Sequence, residues 1–127
     1  MFEELSIFMI AGTDTTSGLL QIMIYFLGEN PHVWTKLREV VNQTIKSDAD
    51  ITYENLKNLH YIEWIQHESL RLGGPTLGML LRKATKDHIL KNIPIAKGTG
   101  LIINDLPNQC SEQYFKDPYE FRPERWE

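Results

Sequence analysis

Residues 2–27 are apolar around nearly the whole circumference of a helix, interrupted in the middle by a polar run at 11–16. A stretch of that kind is no solvated surface helix, so the pattern predicts one long buried helix with Gly28 at its C-terminal stop. It lacks the basic start and small-residue cleavage site of a secretory leader. It also reads poorly as a membrane span, because Glu3, Glu4, Thr13, Asp14, Thr15, Thr16 and Gln21 interrupt it before about 18 apolar residues accumulate. Gly12, Thr13, Asp14, Thr15 and Thr16 are each poorer helix formers than Ala, by about 0.5–1 kcal/mol. The run therefore predicts a local distortion. It serves either as a groove where a ligand approaches the backbone at Ala11 and Gly12, with Asp14 and Thr15 as an acid–alcohol pair beside it, or as the cap of a shorter helix that starts there.

Further along, Asn30 and Pro31 make a favourable helix start. Val33, Leu37, Val40, Val41 and Thr44 recur at helical spacing, so this second helix rests one face on a core. Thr52 caps a short turn through Leu56, and another helix runs from about His60 to Leu72, ended by Gly73, Gly74 and Pro75. The period then changes. Residues 77–85 read as extended, 88–90 and 93–95 as a hairpin around Lys91 and Asn92, and 101–103 as a further strand. Residues 105–127, with three prolines among aromatics, read as ordered irregular chain. The predicted fold class is mainly α with a small β-sheet portion.

The helix over 60–72 carries an unusual placement of charge. On a wheel of about 100° per residue, Tyr61, Trp64, Ile65 and Leu72 form an apolar stripe, Glu68 falls within it, and Arg71 lies beside it one turn on. Burying either charge alone costs several kcal/mol, so the stripe predicts an internal ion pair with a third partner; on a solvated face the same two residues would be an ordinary surface pair. His60, Glu63 and His67 share the opposite face. Two histidines and a carboxylate at that spacing could ligate zinc or iron, but such a face is ordinarily solvated and no fourth ligand accompanies them, so no metal site is assigned.

Taken in order, these landmarks resemble the cytochrome P-450 family of haem-thiolate monooxygenases: A-G-T-D-T-T at 11–16 on a long helix, E-S-L-R at 68–71 on another, Pro75 followed by Arg82, and F-R-P-E-R-W at 121–126. Each motif alone is weak, but four in this order span essentially the whole chain. The resemblance implies catalytic roles for Thr15, whose hydroxyl would hydrogen-bond bound dioxygen, and Asp14, which would help relay protons to it. It implies that Ala11 and Gly12 let the helix backbone pass close over haem, and that Arg82 pairs with a haem propionate. Glu68 and Arg71 match the family's E-x-x-R, and Arg125 the arginine that completes its three-residue structural network. Thr76, Leu77, Gly78 and Met79 match a substrate-lining segment suited to a lipophilic molecule. The implied cofactor is haem iron. The implied partners are a small lipophilic substrate, dioxygen and an electron-donating reductase.

One departure is Gln109, Cys110, Ser111 and Glu112, where relatives often carry His-Arg-Asp-Pro. Another is the haem-ligand loop F-x-x-G-x-R-x-C-x-G, which in the family follows the last motif and is not in these 127 residues. Cys110 lies upstream with no glycines around it and is not assigned as the iron ligand. The expectation is a partial domain over 1–127, from the C-terminal half of the fold, without the N-terminal half, inactive alone because the thiolate is missing, and exposing a large apolar surface on the 2–27 helix where its usual neighbours are absent. The alternatives are a non-catalytic truncated remnant and an unrelated helical interaction module with Glu68, Arg71 and Arg125 on the surface. The net charge of −4 excludes the basic stripe that nucleic acid requires, and one cysteine excludes an internal disulfide. Localisation is open: the endoplasmic reticulum membrane for a eukaryotic relative, held by an N-terminal helix outside this stretch.

Overall fold

A computed structural model describes residues 2–76 and 80–127. Helix α1 (Phe2–Glu29) leads into α2 (Pro31–Thr44), a one-turn α3 (Tyr53–Lys57) and α4 (His60–Gly73). Strands β1 (Leu80–Lys83), β2 (His88–Leu90), β3 (Ile93–Ile95) and β4 (Gly100–Ile103) follow, then a short α5 (Leu106–Gln109) and a 3-10 turn over Pro123–Trp126.

Three expectations about the first helix are corrected. It runs unbroken through the polar run, because the hydroxyls bond back to the preceding turn instead of opening it: Thr15 Oγ1 donates to the Ala11 carbonyl at 2.6 Å, as Ser6 Oγ does to Phe2 at 2.9 Å. And it is not buried. Residues 2–16 are exposed, with Phe2 at 82% and Phe8 at 76%, and Leu27 is the helix's one buried residue. Packing begins only near Gly18, where a Cβ would come within 3.2 Å of Pro75, and continues to Ile22 against Gly73, where a Cβ would sit at 3.3 Å. Small residues at both places let α1 and the end of α4 approach closely. The helix is also long and apolar enough to cross a membrane by length and composition, because its polar residues are too few to break the apolar average.

Asn30 caps α2 differently from a side-chain cap. Its amide donates back to the Phe26 carbonyl at 2.8 Å, which ties the start of α2 to the end of α1. Thr52 does cap α3, accepting from the Asn55 N–H at 3.3 Å. Leu27, Val33, Tyr61, Ile65 and Phe121 form the core, with Phe26, Leu37, Val40 and Trp64 packed against it. Phe26 and Phe121 stack with centroids 4.7 Å apart, so the C-terminal segment is sewn to α1.

Among the described residues the β portion is two separate two-stranded sheets. Strand β1 pairs antiparallel with β4, from Leu80 opposite Ile103 to Lys83 opposite Gly100, and β2 pairs with β3 around Lys91 and Asn92. The β2–β3 hairpin is thus an insertion between paired strands. Lys91 takes a positive φ of 54°, which the tight two-residue turn requires. The C-terminal stretch, expected as irregular chain, contains α5 and the 3-10 turn, both too short to show as periodicity.

Candidate functional site: a buried carboxylate network beside an open helix face

Glu68 is fully buried on α4, and Arg71 is 3% exposed. Arg71 grips Glu68 through a two-pronged pairing, Nε to Oε2 at 3.0 Å and Nη2 to Oε1 at 2.8 Å. From the 3-10 turn, Arg125 Nε donates to Oε1 at 2.8 Å and the Trp126 indole N–H to Oε2 at 2.9 Å, while the Arg122 backbone N–H reaches Oε1 at 3.1 Å. Both oxygens are saturated. Burial pushes the Glu68 carboxyl up, but the donors outweigh it, with Arg71 foremost, and the group is held below the usual carboxylate range.

The two arginines spend their remaining donors on backbone carbonyls. Arg71 Nη1 donates to Gln109 at 2.7 Å and to Pro118 at 2.6 Å. Arg125 donates to Lys116 at 2.9 Å, Asp117 at 3.1 Å and Glu120 at 3.2 Å. One glutamate on α4 therefore orders almost the whole run from Gln109 to Trp126, which has little secondary structure of its own. Full burial of Glu68 is incompatible with an unrelated module carrying these charges on its surface.

Next to Arg125, Glu124 belongs to a second cluster. Its Oε1 accepts from Lys36 Nζ at 2.8 Å and from the Tyr61 hydroxyl at 2.9 Å, and Lys36 sits 4.6 Å from the centre of the Tyr61 ring. Burial raises the Glu124 carboxyl, yet hydrogen bonds from Lys36, from its own backbone N–H and from Tyr61 bring it below its ordinary range. The Tyr61 phenol is pushed well above its own, first by burial and then by the Glu124 carboxylate. In the sequence Tyr61 is legible only as part of the apolar stripe and Trp126 only as the end of F-R-P-E-R-W, and the roles of Lys36 and the Arg122 N–H not at all. Their partners lie 54 or more residues away and leave no local signal.

The other predicted site residues sit apart from this network. Ala11, Gly12, Asp14 and Thr15 lie on the exposed length of α1, and a Cβ on Gly12 would meet nothing within 4 Å. Because the Thr15 proton is engaged by Ala11, its oxygen faces outward as an acceptor. Arg82 is exposed on β1, where its Nη1 donates to the Leu81 carbonyl at 2.8 Å. No carboxylate pairs with it among the described residues. Thr76 is an exposed turn residue, and Leu77, Gly78 and Met79 lie outside the described residues.

On the polar face of α4, His60 and Glu63 stand 3.7 Å apart, whereas His67 turns away to pack on Trp126 with ring centres at 5.2 Å. Cys110 is half-buried at the end of α5, and no grouping of three or more potential metal ligands occurs among the described residues. The donor set suits haem in part: a guanidinium with no carboxylate partner among the described residues for a propionate, and a helix face with small residues for a flat ring.

Residues 2–127 match the family described as Cytochrome P450. Similar proteins include cytochrome P450 52A3-B of Candida maltosa, 36% identical over an alignment covering 98% of this chain and 26% of the relative. Cytochrome P450 4V2 of Homo sapiens is 35% identical over 98% of this chain and 24% of the relative, and cytochrome P450 3A14 of Cavia porcellus 33% over 94% and 24%. The chain spans about a quarter of the length of the curated relatives it matches.

Proposed function

Because the chain belongs to the cytochrome P450 family, we propose that it carries the oxygen-side residues and the structural network of a haem-dependent monooxygenase. Such an oxidoreductase inserts one atom of dioxygen into a small lipophilic substrate with electrons from a reductase. The observation that carries the reading is the saturated Glu68–Arg71–Arg125 network, a costly buried arrangement with no use on a helical interaction module.

Haem, when bound, supplies the iron at which dioxygen is activated. Arg82 holds a propionate by a charge-assisted hydrogen bond, for which its exposed guanidinium has donors to spare. Ala11 and Gly12 keep the α1 face low enough for a flat ring to lie against it. Thr15, its proton committed to Ala11, accepts a hydrogen bond from a proton carrier, and the neighbouring Asp14 helps relay protons along that path. The family resemblance assigns Thr76 with Leu77, Gly78 and Met79 to the substrate side. The Glu68 network secures the chain around Gln109 to Trp126, which in this reading borders the haem. Cys110 has no part in ligation. The yeast and mammalian origin of the relatives favours the endoplasmic reticulum membrane as the location.

The test is haem reconstitution of the protein carrying this chain. Thr15→Ala and Asp14→Asn should each lower product formed per electron pair by roughly 10²-fold while haem absorbance stays unchanged. Arg82→Gln should weaken haem binding by about threefold to tenfold, the loss of one charged hydrogen bond. Wild-type product yield in both α1 variants would remove the proton-delivery role.

A further inference from the structure

The 3-10 turn Pro123–Trp126 has almost nothing to hold it in place by itself. The backbone hydrogen bonds that tie its two ends, Arg125 N–H to Arg122 at 3.2 Å and Glu127 N–H to Glu124 at 3.3 Å, are both long, and Pro123 contributes no N–H. One turn of helix does not sustain itself in water. Yet it presents Arg125 and Trp126 to Glu68 with two hydrogen bonds under 3 Å.

Successive side chains on a 3-10 turn point about 120° apart, so while Arg125 and Trp126 face Glu68, Glu124 must face another way. It faces Lys36 of α2 and Tyr61 of α4. Tyr61 and Glu68 are seven residues apart on α4, two turns along the same buried face. The turn is therefore held at two points along one helix, and Lys36 adds a third from a neighbouring helix. We propose that Lys36 and Tyr61 are positioning residues, which through Glu124 set the orientation of the turn so that Arg125 and Trp126 reach the Glu68 carboxylate.

The assignment concerns this chain's own geometry and holds whether or not haem binds. It extends the proposed function by naming what aligns the arginine that completes its network. The residues on the Glu124 side differ in burial: Lys36 is nearly half exposed, Tyr61 almost fully buried. The Tyr61 hydroxyl is accordingly the stronger hold, because a surface charge pair is screened by solvent.

The experiment follows the indole N–H of Trp126 by hydrogen exchange in the protein carrying this chain, with the indoles of Trp34 and Trp64 as internal references. Tyr61→Phe removes one hydroxyl and keeps the ring. It should speed exchange of the Trp126 indole by roughly threefold to tenfold, the population change expected from one lost hydrogen bond. Lys36→Met should act in the same direction and less, and Lys36→Arg should restore the wild-type rate. The references should not move. An unchanged Trp126 rate in Tyr61→Phe overturns the proposal, as does equal acceleration of all three indoles, which would mark a global loss of stability. If Lys36→Met fails to fold, the Tyr61→Phe result decides by itself, with Glu124→Gln as a second deletion of the same hydrogen-bond acceptor charge.

Discussion

Replacing Glu68 by Gln changes one atom of the side chain and removes its charge. The carboxylate is fully buried and takes donors at both oxygens, two N–H groups at Oε2 and three at Oε1. Whichever way the amide turns, its NH2 confronts N–H donors: Arg71 Nε and Trp126 Nε1 on one side, Arg71 Nη2, Arg125 Nε and the Arg122 N–H on the other. Two guanidinium groups also lose their countercharge, one of them 3% exposed. Breaking a buried pair by removing one partner costs about 3–5 kcal/mol. The carbonyls of Gln109 and Pro118 still hold Arg71, so the lower half of that range is expected. For a chain of this size the loss amounts to a fall in melting temperature of roughly 10–15 °C. Urea unfolding followed by tryptophan fluorescence at neutral pH measures it.

The pH dependence carries the same signature. The folded Glu68 carboxyl titrates below its ordinary value, so its contribution is fully present above the unfolded value. It is lost as pH falls from there through the folded one. Glu68→Gln should flatten that part of the acid limb and leave the part that belongs to Glu124, which is also lowered. A loss below about 1 kcal/mol at neutral pH, the scale of an exposed pair, would refute the reasoning.

Arg125→Lys keeps the charge but gives up the fork that joins Glu68 to the carbonyls of Lys116, Asp117 and Glu120. Its unfolding midpoint in urea should correspond to a loss of about 2 kcal/mol, and a neutral result would mean that charge alone suffices. The glycines at 12 and 74 should respond in opposite directions. Gly12→Ala meets open space in a helix and should add up to about 1 kcal/mol. Gly74→Ala would place a Cβ 2.7 Å from the Leu70 carbonyl and should cost about 1–3 kcal/mol; thermal melts of the two variants check the contrast. The exposed face of α1, with Phe2, Ile7, Phe8 and Met9 each at least 65% accessible, should drive self-association of the chain. Size-exclusion elution should shift with concentration, and Phe8→Glu should reduce the shift.

Local spacing along the chain was enough to place most elements and the central charge. The stripe of Tyr61, Ile65 and Glu68 on one helical face required an internal ion pair, because a periodic pattern states which side chains share a face whatever the rest of the chain does. The Thr52 cap, the stop at Gly73 and the hairpin around Lys91 were legible for the same reason. What the pattern could not state was which distant groups complete the site. The Trp126 indole, the Arg122 N–H and the Lys36–Tyr61–Glu124 cluster come from segments 54 to 88 residues apart, and such pairs depend on how helices dock. Nor could it show that α1 stays unbroken. Propensity at 12–16 argued for a break, but back-bonded hydroxyls satisfied the polar groups within the helix. Apolarity argued for burial, which is a relation between a side chain and its neighbours, and only the tertiary structure supplies or withholds those neighbours.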